Sequence, residues 1–175
     1  SVGLVGSEMC IRDRGGTPIS FPRIQGADIC GYIVEVGQNV SKSRIGQRVI
    51  TDNWVRDEND PENIEKVGYL GSERDGGFAQ YTAIPSKNAL EIISNLSNEE
   101  LATFSCSYTT AEGMLARAKV MDKDTVLVPG ASGGVGSALV QLAKRRGARV
   151  VAMTTPEKSS FCLLYTSDAA DDRYR

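Results

Sequence analysis

The sequence predicts an α/β fold in which a small, mostly β module precedes a β-α-β unit. The first half of the chain alternates short β-rich runs with glycine and proline turns, whereas apolar residues recur at helical spacing after Ser97. A glycine-rich turn, Gly130-Ala-Ser-Gly-Gly-Val-Gly136, then joins an apolar strand to an amphipathic helix. The 175 residues suffice for one domain or for two incomplete ones.

The β module is predicted to contain three strands. Residues 29–36 are β-rich and end at Gly37, and a second strand covers residues 48–51. Residues 53–69 are polar and acidic, which predicts an excursion loop. Residues 76–84 are the third predicted strand, which the following proline ends.

Two helices are predicted between this module and the glycine-rich turn. Residues 97–100, Ser-Asn-Glu-Glu, fit a capping box and predict a helix through about Phe104. A second helix is predicted over residues 109–118, with Met114 and Leu115 on its apolar face together with Ala118.

The glycine-rich turn stands inside the predicted β-α-β unit. Strands are predicted at residues 125–128 and 149–153, and the helix between them covers residues 136–146 and ends at Gly147. This order demands a parallel pair of strands joined by the crossover helix. The residues that this helix is predicted to bury are Leu139, Val140, Leu142 and Ala143.

The composition excludes several functional classes. The net charge is −2, so no nucleic-acid or membrane partner is expected. No apolar run reaches the roughly 18 residues of a membrane span, and no signal-peptide pattern is present, so a cytoplasmic protein is expected. The chain has no histidine, which excludes a Ser-His relay and histidine metal ligands within it. Its four cysteines form no CxxC pair, which argues against a disulfide framework or a structural zinc site.

The two ends of the chain carry peptides that a single inverted DNA element can encode. Residues 9–14, Met-Cys-Ile-Arg-Asp-Arg, can be translated from ATGTGTATAAGAGACAG followed by a purine. The reverse complement of that string, read from its second base, encodes Cys-Leu-Leu-Tyr-Thr, the sequence of residues 162–166. The element resembles a transposon end used in sequencing adapters. Residues 1–14 and 162–175 are therefore expected to be adapter-derived, and the segment between them to be an interior fragment.

The glycine-rich turn has the context of a dinucleotide-binding fingerprint, because it directly follows an apolar strand and opens a helix. The first glycine permits the tight turn, the second lets the backbone approach a pyrophosphate, and the last lets helix and strand pack closely. The helix N-terminus adds free N–H groups and positive potential. The predicted cofactor-binding residues of the turn are Gly130, Ala131, Ser132, Gly133, Gly134, Val135 and Gly136.

The segment after the second strand predicts which nicotinamide cofactor is bound. An acidic side chain there would accept hydrogen bonds from a free ribose 2′-hydroxyl and repel a 2′-phosphate. The chain has Thr154, Thr155 and Lys158 in this segment, and Glu157 lies past the expected position. Two hydroxyls and an ammonium group suit a phosphate. NADPH is therefore predicted in preference to NAD.

From about Gly16 to Phe161, the chain resembles the medium-chain dehydrogenase/reductase superfamily, in its zinc-type alcohol dehydrogenase and quinone oxidoreductase branches. The resemblance implies a GroES-like β module at residues 15–97 and a truncated Rossmann nucleotide-binding domain at residues 98–161. It also implies hydride transfer between nicotinamide and a small carbonyl, enone, quinone or alcohol substrate, in a parent enzyme that is a homo-oligomer. The matching stretches are residues 26–37, 45–49, 76–81, 106–110 and 130–136.

The family's functional residues transfer to this chain only in part. Asp28 matches a glutamate near the catalytic metal of zinc alcohol dehydrogenases, and Cys106 matches a zinc ligand. Ala27 stands where the family has a histidine ligand, and no four-cysteine zinc loop is present. A zinc-free reductase and a zinc-dependent enzyme with a variant Cys/Asp site both remain open. Thr110 matches a residue that lies against the nicotinamide, so Asp28 and Thr110 are the candidate catalytic residues.

Two further possibilities concern the molecule as a whole. A nucleotide-binding protein without catalysis would carry the same glycine-rich turn, and binding of NADPH without turnover would indicate it. Two strands cannot bury both faces of a parallel sheet. This chain, expressed alone, is therefore expected to be inactive and largely unfolded or aggregated. A cooperative thermal transition together with measurable NADPH affinity would contradict that expectation.

Overall fold

The computed structural model describes residues 21–63 and 66–166 of the chain. The chain divides into two compact units, with the division between residues 98 and 99. The segment 1–14 and residues 167–175, which the sequence attributes to adapter DNA, lie outside the described residues. Their adapter origin stays a prediction.

Short strands build the described part of the first unit. They are β1 (Cys30–Tyr32), β2 (Arg48–Thr51), β3 (Trp54–Val55), β4 (Gly68–Tyr69) and β5 (Ala89–Glu91). Strands β1, β2 and β5 form an antiparallel sheet in the order β1-β2-β5, and β3 pairs with β4 as a separate antiparallel ribbon. The buried apolar side chains of this unit include Val49, Val55, Leu70 and Ala89.

An arginine joins two segments of this unit. Arg44 ends the 3-10 turn Lys42–Arg44 and donates hydrogen bonds to the Ser86 hydroxyl and the Ala89 carbonyl, each over 2.6 Å. The guanidinium group presents its donors in a fixed fork. One side chain can therefore hold the turn after β1 to the start of β5.

The prediction for residues 48–51 is confirmed as β2, but the prediction for residues 29–36 was too long. The pairing of β1 with β2 ends at Tyr32, opposite Arg48. The Ile33 carbonyl then accepts a hydrogen bond from the Gly46 N–H over 2.8 Å, which closes the turn. Within residues 21–63 and 66–166, the β-rich residues after Ile33 therefore have no partner strand.

The strand predicted at residues 76–84 was wrong. The N–H groups of residues 76–78 donate to carbonyl groups of residues 24–26 over 2.7–2.9 Å, without forming a strand. The excursion predicted at residues 53–69 is also not loop throughout, since it contains β3 and β4. The ring of Trp54 meets that of Tyr69 edge-on, with ring centroids 5.5 Å apart.

Helices and strands alternate along the second unit. Helix α1 (Asn98–Ala102) starts at the division, and helix α2 (Phe104–Arg117), strand β6 (Thr125–Pro129), helix α3 (Gly134–Arg145), strand β7 (Arg149–Met153) and helix α4 (Ser159–Thr166) follow. Strands β6 and β7 pair in parallel. The α/β fold class and the β-α-β order are thereby confirmed.

One face of the β6–β7 pair belongs to the core of the second unit. Buried members of this core include Leu115 of α2, Val128 of β6 and Val150 of β7. On the opposite face, the side chains of Leu127 and Met153 are 59% and 52% exposed. The parallel pair therefore has one covered face and one apolar face that is open to solvent.

Helix α3 confirms the predicted crossover helix, and two of its four predicted core residues are fully buried. Val140 and Ala143 are buried, and the two leucines of this face are partly buried against the same core. The prediction for Met114 was wrong, since its side chain is 47% exposed. The covered face of α2 instead runs through Ala111 and Leu115, which lie one helical turn apart.

Helix α4 continues past the predicted end of the authentic segment at residue 161. Cys162, within α4, is 5% exposed and packs in the core of the second unit. Among the helices of the described ranges, none has the length and apolar character needed to span a membrane.

Candidate functional site

The glycine-rich turn lies between β6 and α3. Gly130 directly follows β6 and has a φ of +65°, a left-handed conformation that residues with a Cβ disfavour. The Gly133 N–H donates to the Gly130 carbonyl over 2.9 Å, which closes the turn. Helix α3 then begins at Gly134, with Gly133 as its N-cap. The first N–H groups of α3 therefore emerge at this turn without carbonyl partners inside the helix.

Gly136 brings the helix into direct contact with the turn. A Cβ at this position would overlap the Gly130 carbonyl oxygen and would lie 2.9 Å from the Ala131 Cα. Both are backbone atoms, so neither can move without displacing the turn. Gly136 is buried, whereas Gly133 and Gly134 are exposed. The turn is thus tight on its inner side and open where its N–H groups could meet an anionic ligand.

Two hydrogen bonds anchor the turn to the end of β7. The Ala131 N–H donates to the Met153 carbonyl over 3.0 Å, and the Ala131 side chain is buried in the core. The Thr154 hydroxyl donates to the Ser132 hydroxyl over 3.1 Å. The structure therefore brings together residues that the sequence predicted separately, from the turn and from the strand end. Val135, in the first turn of α3, is half-buried.

A carboxylate stands among the residues predicted to receive a 2′-phosphate. Thr155 precedes the 3-10 turn Pro156–Lys158, and its hydroxyl donates to the Glu157 carboxylate, which lowers the pKa of Glu157. The Lys158 N–H donates to the Thr155 carbonyl over 3.0 Å, and the Lys158 side chain is exposed. From the sequence, Glu157 was expected to lie past the 2′-phosphate site. The 3-10 turn instead brings its carboxylate to the Thr155 hydroxyl, a contact that the local sequence did not indicate.

Cys106 and Thr110 lie four residues apart on α2, so they share one face of this helix. Cys106 is half-buried, and Thr110 is exposed. Ser107 directly follows Cys106, and its hydroxyl oxygen lies 2.8 Å from the position that a Cβ on Gly134 would occupy. Ser107 therefore borders the glycine-rich turn, a contact between distant segments that the local sequence did not indicate.

Asp28 lies in the first unit, just before β1, and its side chain is exposed. The Asn53 side-chain amide donates to the Asp28 carboxylate over 3.3 Å, and the Thr51 hydroxyl donates to the Asn53 amide oxygen over 3.0 Å. Neither Thr51 nor Asn53 was singled out from the sequence. A backbone hydrogen bond brings them near Asp28, because the Thr51 N–H donates to the carbonyl of Ile29, the next residue along the chain.

The described part of the chain does not contain enough ligands for the catalytic zinc ion that the family pattern implies. Asp28 and Cys106 are the residues that the family pattern offers, and residues 21–63 and 66–166 contain no group of three or more His, Cys, Asp or Glu side chains that could hold a metal. Protein zinc sites use at least three such ligands. The described residues therefore do not fit a zinc ion.

An antiparallel β unit followed by a parallel β-α-β unit with this glycine-rich turn defines a class of proteins, the medium-chain dehydrogenases/reductases. The alcohol dehydrogenase GroES-like domain family matches residues 1–94. The chain therefore belongs to this family and to the medium-chain superfamily.

Several relatives share the sequence and fold over much of the chain. Acryloyl-coenzyme A reductase of Metallosphaera sedula is 32% identical over 165 residues, which are 87% of this chain and 49% of the relative. An NAD-dependent alcohol dehydrogenase of Sulfolobus acidocaldarius is 30% identical over 132 residues, 71% of this chain and 38% of the relative. A solved structure assigned to the alcohol dehydrogenases, from Sinorhizobium meliloti 1021, has a TM-score of 0.77 and 47% identity, covering 87% of this chain and 42% of its own. The chain thus spans about half the length, or less, of these relatives.

Proposed function

We propose that the chain is part of an NADPH-dependent oxidoreductase that transfers hydride between nicotinamide and a small carbonyl, enone, quinone or alcohol substrate. The observation that carries this proposal is the turn at residues 130–136, which is closed on its inner side and open at the helix N–H groups. A reductase and an alcohol dehydrogenase among the relatives support the same class of reaction. The whole protein is proposed to act as a cytoplasmic homo-oligomer.

The residues proposed to hold the cofactor come from three segments of the second unit. The exposed backbone of Gly133 and Gly134 binds the pyrophosphate at the start of α3, where the helix dipole favours an anion. The Thr154 hydroxyl and the Lys158 ammonium bind the 2′-phosphate. The Thr110 hydroxyl contacts the nicotinamide. When bound, the nicotinamide supplies or accepts the hydride, and the protein orients it and excludes water.

Asp28 is proposed to act from the first unit. Its exposed carboxylate can accept a hydrogen bond from a substrate hydroxyl, which orients the carbon that exchanges hydride. A zinc-dependent alcohol dehydrogenase that uses Cys106 and Asp28 is the alternative from the family pattern. The described residues offer that alternative no third ligand.

One observation favours NAD as the cofactor instead. The Glu157 carboxylate, held by the Thr155 hydroxyl, carries a negative charge beside the proposed 2′-phosphate site. One relative is also named as an NAD-dependent enzyme. The ratio of the dissociation constants for NADPH and NADH, measured by nucleotide fluorescence at one ionic strength, decides between them. Tighter binding of NADPH is expected, and tighter binding of NADH would overturn the NADPH proposal.

The role of the turn is tested by Gly136→Ala, because the new Cβ meets backbone atoms that cannot move independently. Overpacking of this kind costs about 1–3 kcal/mol of stability. We expect the dissociation constant for NADPH, measured on protein that remains folded, to rise about tenfold or more, equivalent to about 1.4 kcal/mol. The matched control is Gly37→Ala, since a Cβ at Gly37 would meet no atom within 4 Å.

Equal NADPH affinity of the wild type, Gly136→Ala and Gly37→Ala would contradict a cofactor site at this turn. Catalysis is tested separately in the whole protein, by following NADPH oxidation with a panel of quinones, enones and aldehydes. NADPH binding without oxidation by any compound of the panel would favour the non-catalytic nucleotide-binding protein.

A further inference from the structure

Two buried polar side chains connect β2 with the candidate catalytic carboxylate. Thr51 is the last residue of β2 and is 2% exposed, and Asn53 is 3% exposed. The Thr51 hydroxyl donates to the Asn53 amide oxygen over 3.0 Å, and the Asn53 amide nitrogen donates to a carboxylate oxygen of Asp28 over 3.3 Å. The three residues therefore form a chain of hydrogen bonds that leads from the interior of the first unit to an exposed carboxylate.

The chain of hydrogen bonds has one consistent direction. A carboxylate only accepts, so the group of Asn53 that faces Asp28 must be its nitrogen. The amide oxygen then faces Thr51, whose hydroxyl rotates to donate. With the amide reversed, the oxygen of Asn53 would face the carboxylate, and two acceptors would repel each other. Asp28 thus fixes the orientation of the Asn53 amide, and the Thr51 hydroxyl holds the amide oxygen from the other side.

The backbone holds all three residues in a common frame. The Thr51 N–H donates to the Ile29 carbonyl over 3.2 Å, one residue from Asp28. The Asn53 carbonyl accepts from the Leu70 N–H over 3.1 Å, and the Leu70 side chain is 2% exposed. A buried, hydrogen-bonded amide on such a frame has little freedom to rotate. It can therefore hold a partner carboxylate in one direction.

We infer that Asn53, oriented by Thr51, is a positioning residue for the Asp28 carboxylate. Asn53 does not itself contact the substrate in this proposal, because its side chain is almost fully buried. The inference rests on the proposed function, in which Asp28 orients the substrate. A carboxylate held from behind by a fixed donor keeps its direction towards the substrate between turnovers.

The hydroxyl of Thr51 provides the most selective test. Thr51→Val keeps the shape of the side chain and removes the donor, whereas Thr51→Ser keeps the donor and removes only a methyl group. In the whole protein, we expect Thr51→Val to lower kcat by up to about tenfold, which corresponds to the loss of one net hydrogen bond from the transition state. The KM for NADPH should not change, and Thr51→Ser should retain most of the kcat.

Asn53→Leu is the second variant, since it keeps the approximate volume and removes both hydrogen bonds, and a loss of kcat at least as large is expected. Ser86→Ala serves as the control. It removes a hydroxyl of the same unit that accepts from Arg44, and it should leave kcat unchanged. Thermal unfolding of each variant, together with far-UV circular dichroism, shows that kcat is compared between folded proteins. If Asn53→Leu does not fold, the Thr51 pair alone decides.

If the wild type oxidises NADPH with a substrate, either of two outcomes would overturn the inference. One is an unchanged kcat in Thr51→Val and Asn53→Leu. The other is an equal loss in Thr51→Val and Thr51→Ser, which would indicate packing rather than the hydroxyl. Absence of turnover in the wild type would instead contradict the proposed function.

Discussion

At the scale of single residues, Glu157 is the side chain that opposes the proposed cofactor preference. Its carboxylate accepts a hydrogen bond from the Thr155 hydroxyl, which lowers its pKa, and it neighbours Lys158 in sequence. A negative charge here repels a 2′-phosphate and would accept a hydrogen bond from a 2′-hydroxyl. The residue therefore limits how strongly this site can select NADPH over NADH.

Glu157→Gln is predicted to tighten NADPH binding by a factor of about two to five at low salt, the scale of a screened surface charge. NADH affinity should stay constant or fall. The effect should shrink as salt is added, because exposed charges are screened. Because the pKa of Glu157 is lowered, its charge is lost only at a more acidic pH than for an ordinary glutamate, so the difference persists from neutral into weakly acidic solution. Titration of both nucleotides into the two proteins measures it.

Tighter NADH binding by the glutamine variant would show that Glu157 does not face the ribose. The same titration of Glu62→Gln provides the control, because Glu62 lies in the first unit, far from β7 in sequence, and is exposed. Its substitution removes one negative charge without changing the segment after β7.

At the scale of elements, helix α2 ends in an unusual way. Lys119, directly after the C-cap residue Ala118, has a φ of +54°, a left-handed conformation in which glycine is the usual residue. The Lys119 N–H still donates to the Ala116 carbonyl over 3.1 Å, so the helix end is satisfied but strained. No local pattern predicts a left-handed residue here, since lysine favours continuation of a helix.

Lys119→Gly is predicted to stabilise the whole protein by about 0.5–1 kcal/mol, because the relief of the left-handed strain exceeds the extra entropy of an unfolded glycine. The measurement is the free energy of unfolding in urea. Lys123→Gly is the matched control, because Lys123 is also exposed and does not have a positive φ. That variant should destabilise. A loss of stability in both variants would mean that Lys119 bears no strain.

The elements also show what the sequence could and could not reveal about the fold. Strand β7 and helix α3 were predicted nearly to the residue, because a continuous apolar run and a helical repeat are local signals. The ribbon of β3 and β4 was missed, since two strands of two residues each pair across a loop and contain no repeat. Residues 76–78 form backbone hydrogen bonds with residues 24–26 without forming a strand. Whether this segment becomes a strand depends on that partner, which is distant in sequence, and not on the local pattern.

The glycine-rich turn of the candidate site was predictable from the sequence, whereas the residues around Asp28 were not. The turn at residues 130–136 has a sequence signature because its backbone geometry requires glycine at fixed spacings. Asn53 and Thr51 had no such signature. Their relation to Asp28 arises from the register of β2 against β1, which the composition of neither strand encodes.

At the scale of the whole molecule, the open apolar face of the β6–β7 pair governs how the chain behaves in solution. Leu127 and Met153 are more than half exposed, although the faces of parallel sheets are normally covered. Exposed apolar patches of this kind promote association. The expectation that the isolated chain aggregates stays a prediction, and this face is the surface we expect to cause it.

The double substitution Leu127→Thr with Met153→Thr is predicted to reduce both association and binding of a hydrophobic dye. Its effect on the free energy of unfolding should stay within about 0.5 kcal/mol, because both side chains are exposed. Val128→Thr is the contrasting control, since Val128 is 1% exposed on the covered face. That variant should destabilise by about 1–3 kcal/mol, the cost of burying an unpaired hydroxyl. Light scattering that is unchanged by the double substitution would exclude this face as the cause of association.

Trp54 lies in the first unit, where its ring contacts that of Tyr69 edge-on, so tryptophan fluorescence follows this unit separately from the second. The chain has a single tryptophan, so its emission reports on the β3–β4 ribbon alone. Most of the helical signal in circular dichroism comes from the second unit, which holds α2, α3 and α4. One melting experiment with both detectors therefore resolves whether the two units lose their structure together or one after the other, without any label. Because Trp54 directly follows Asn53, the same emission would also respond to changes around Asp28.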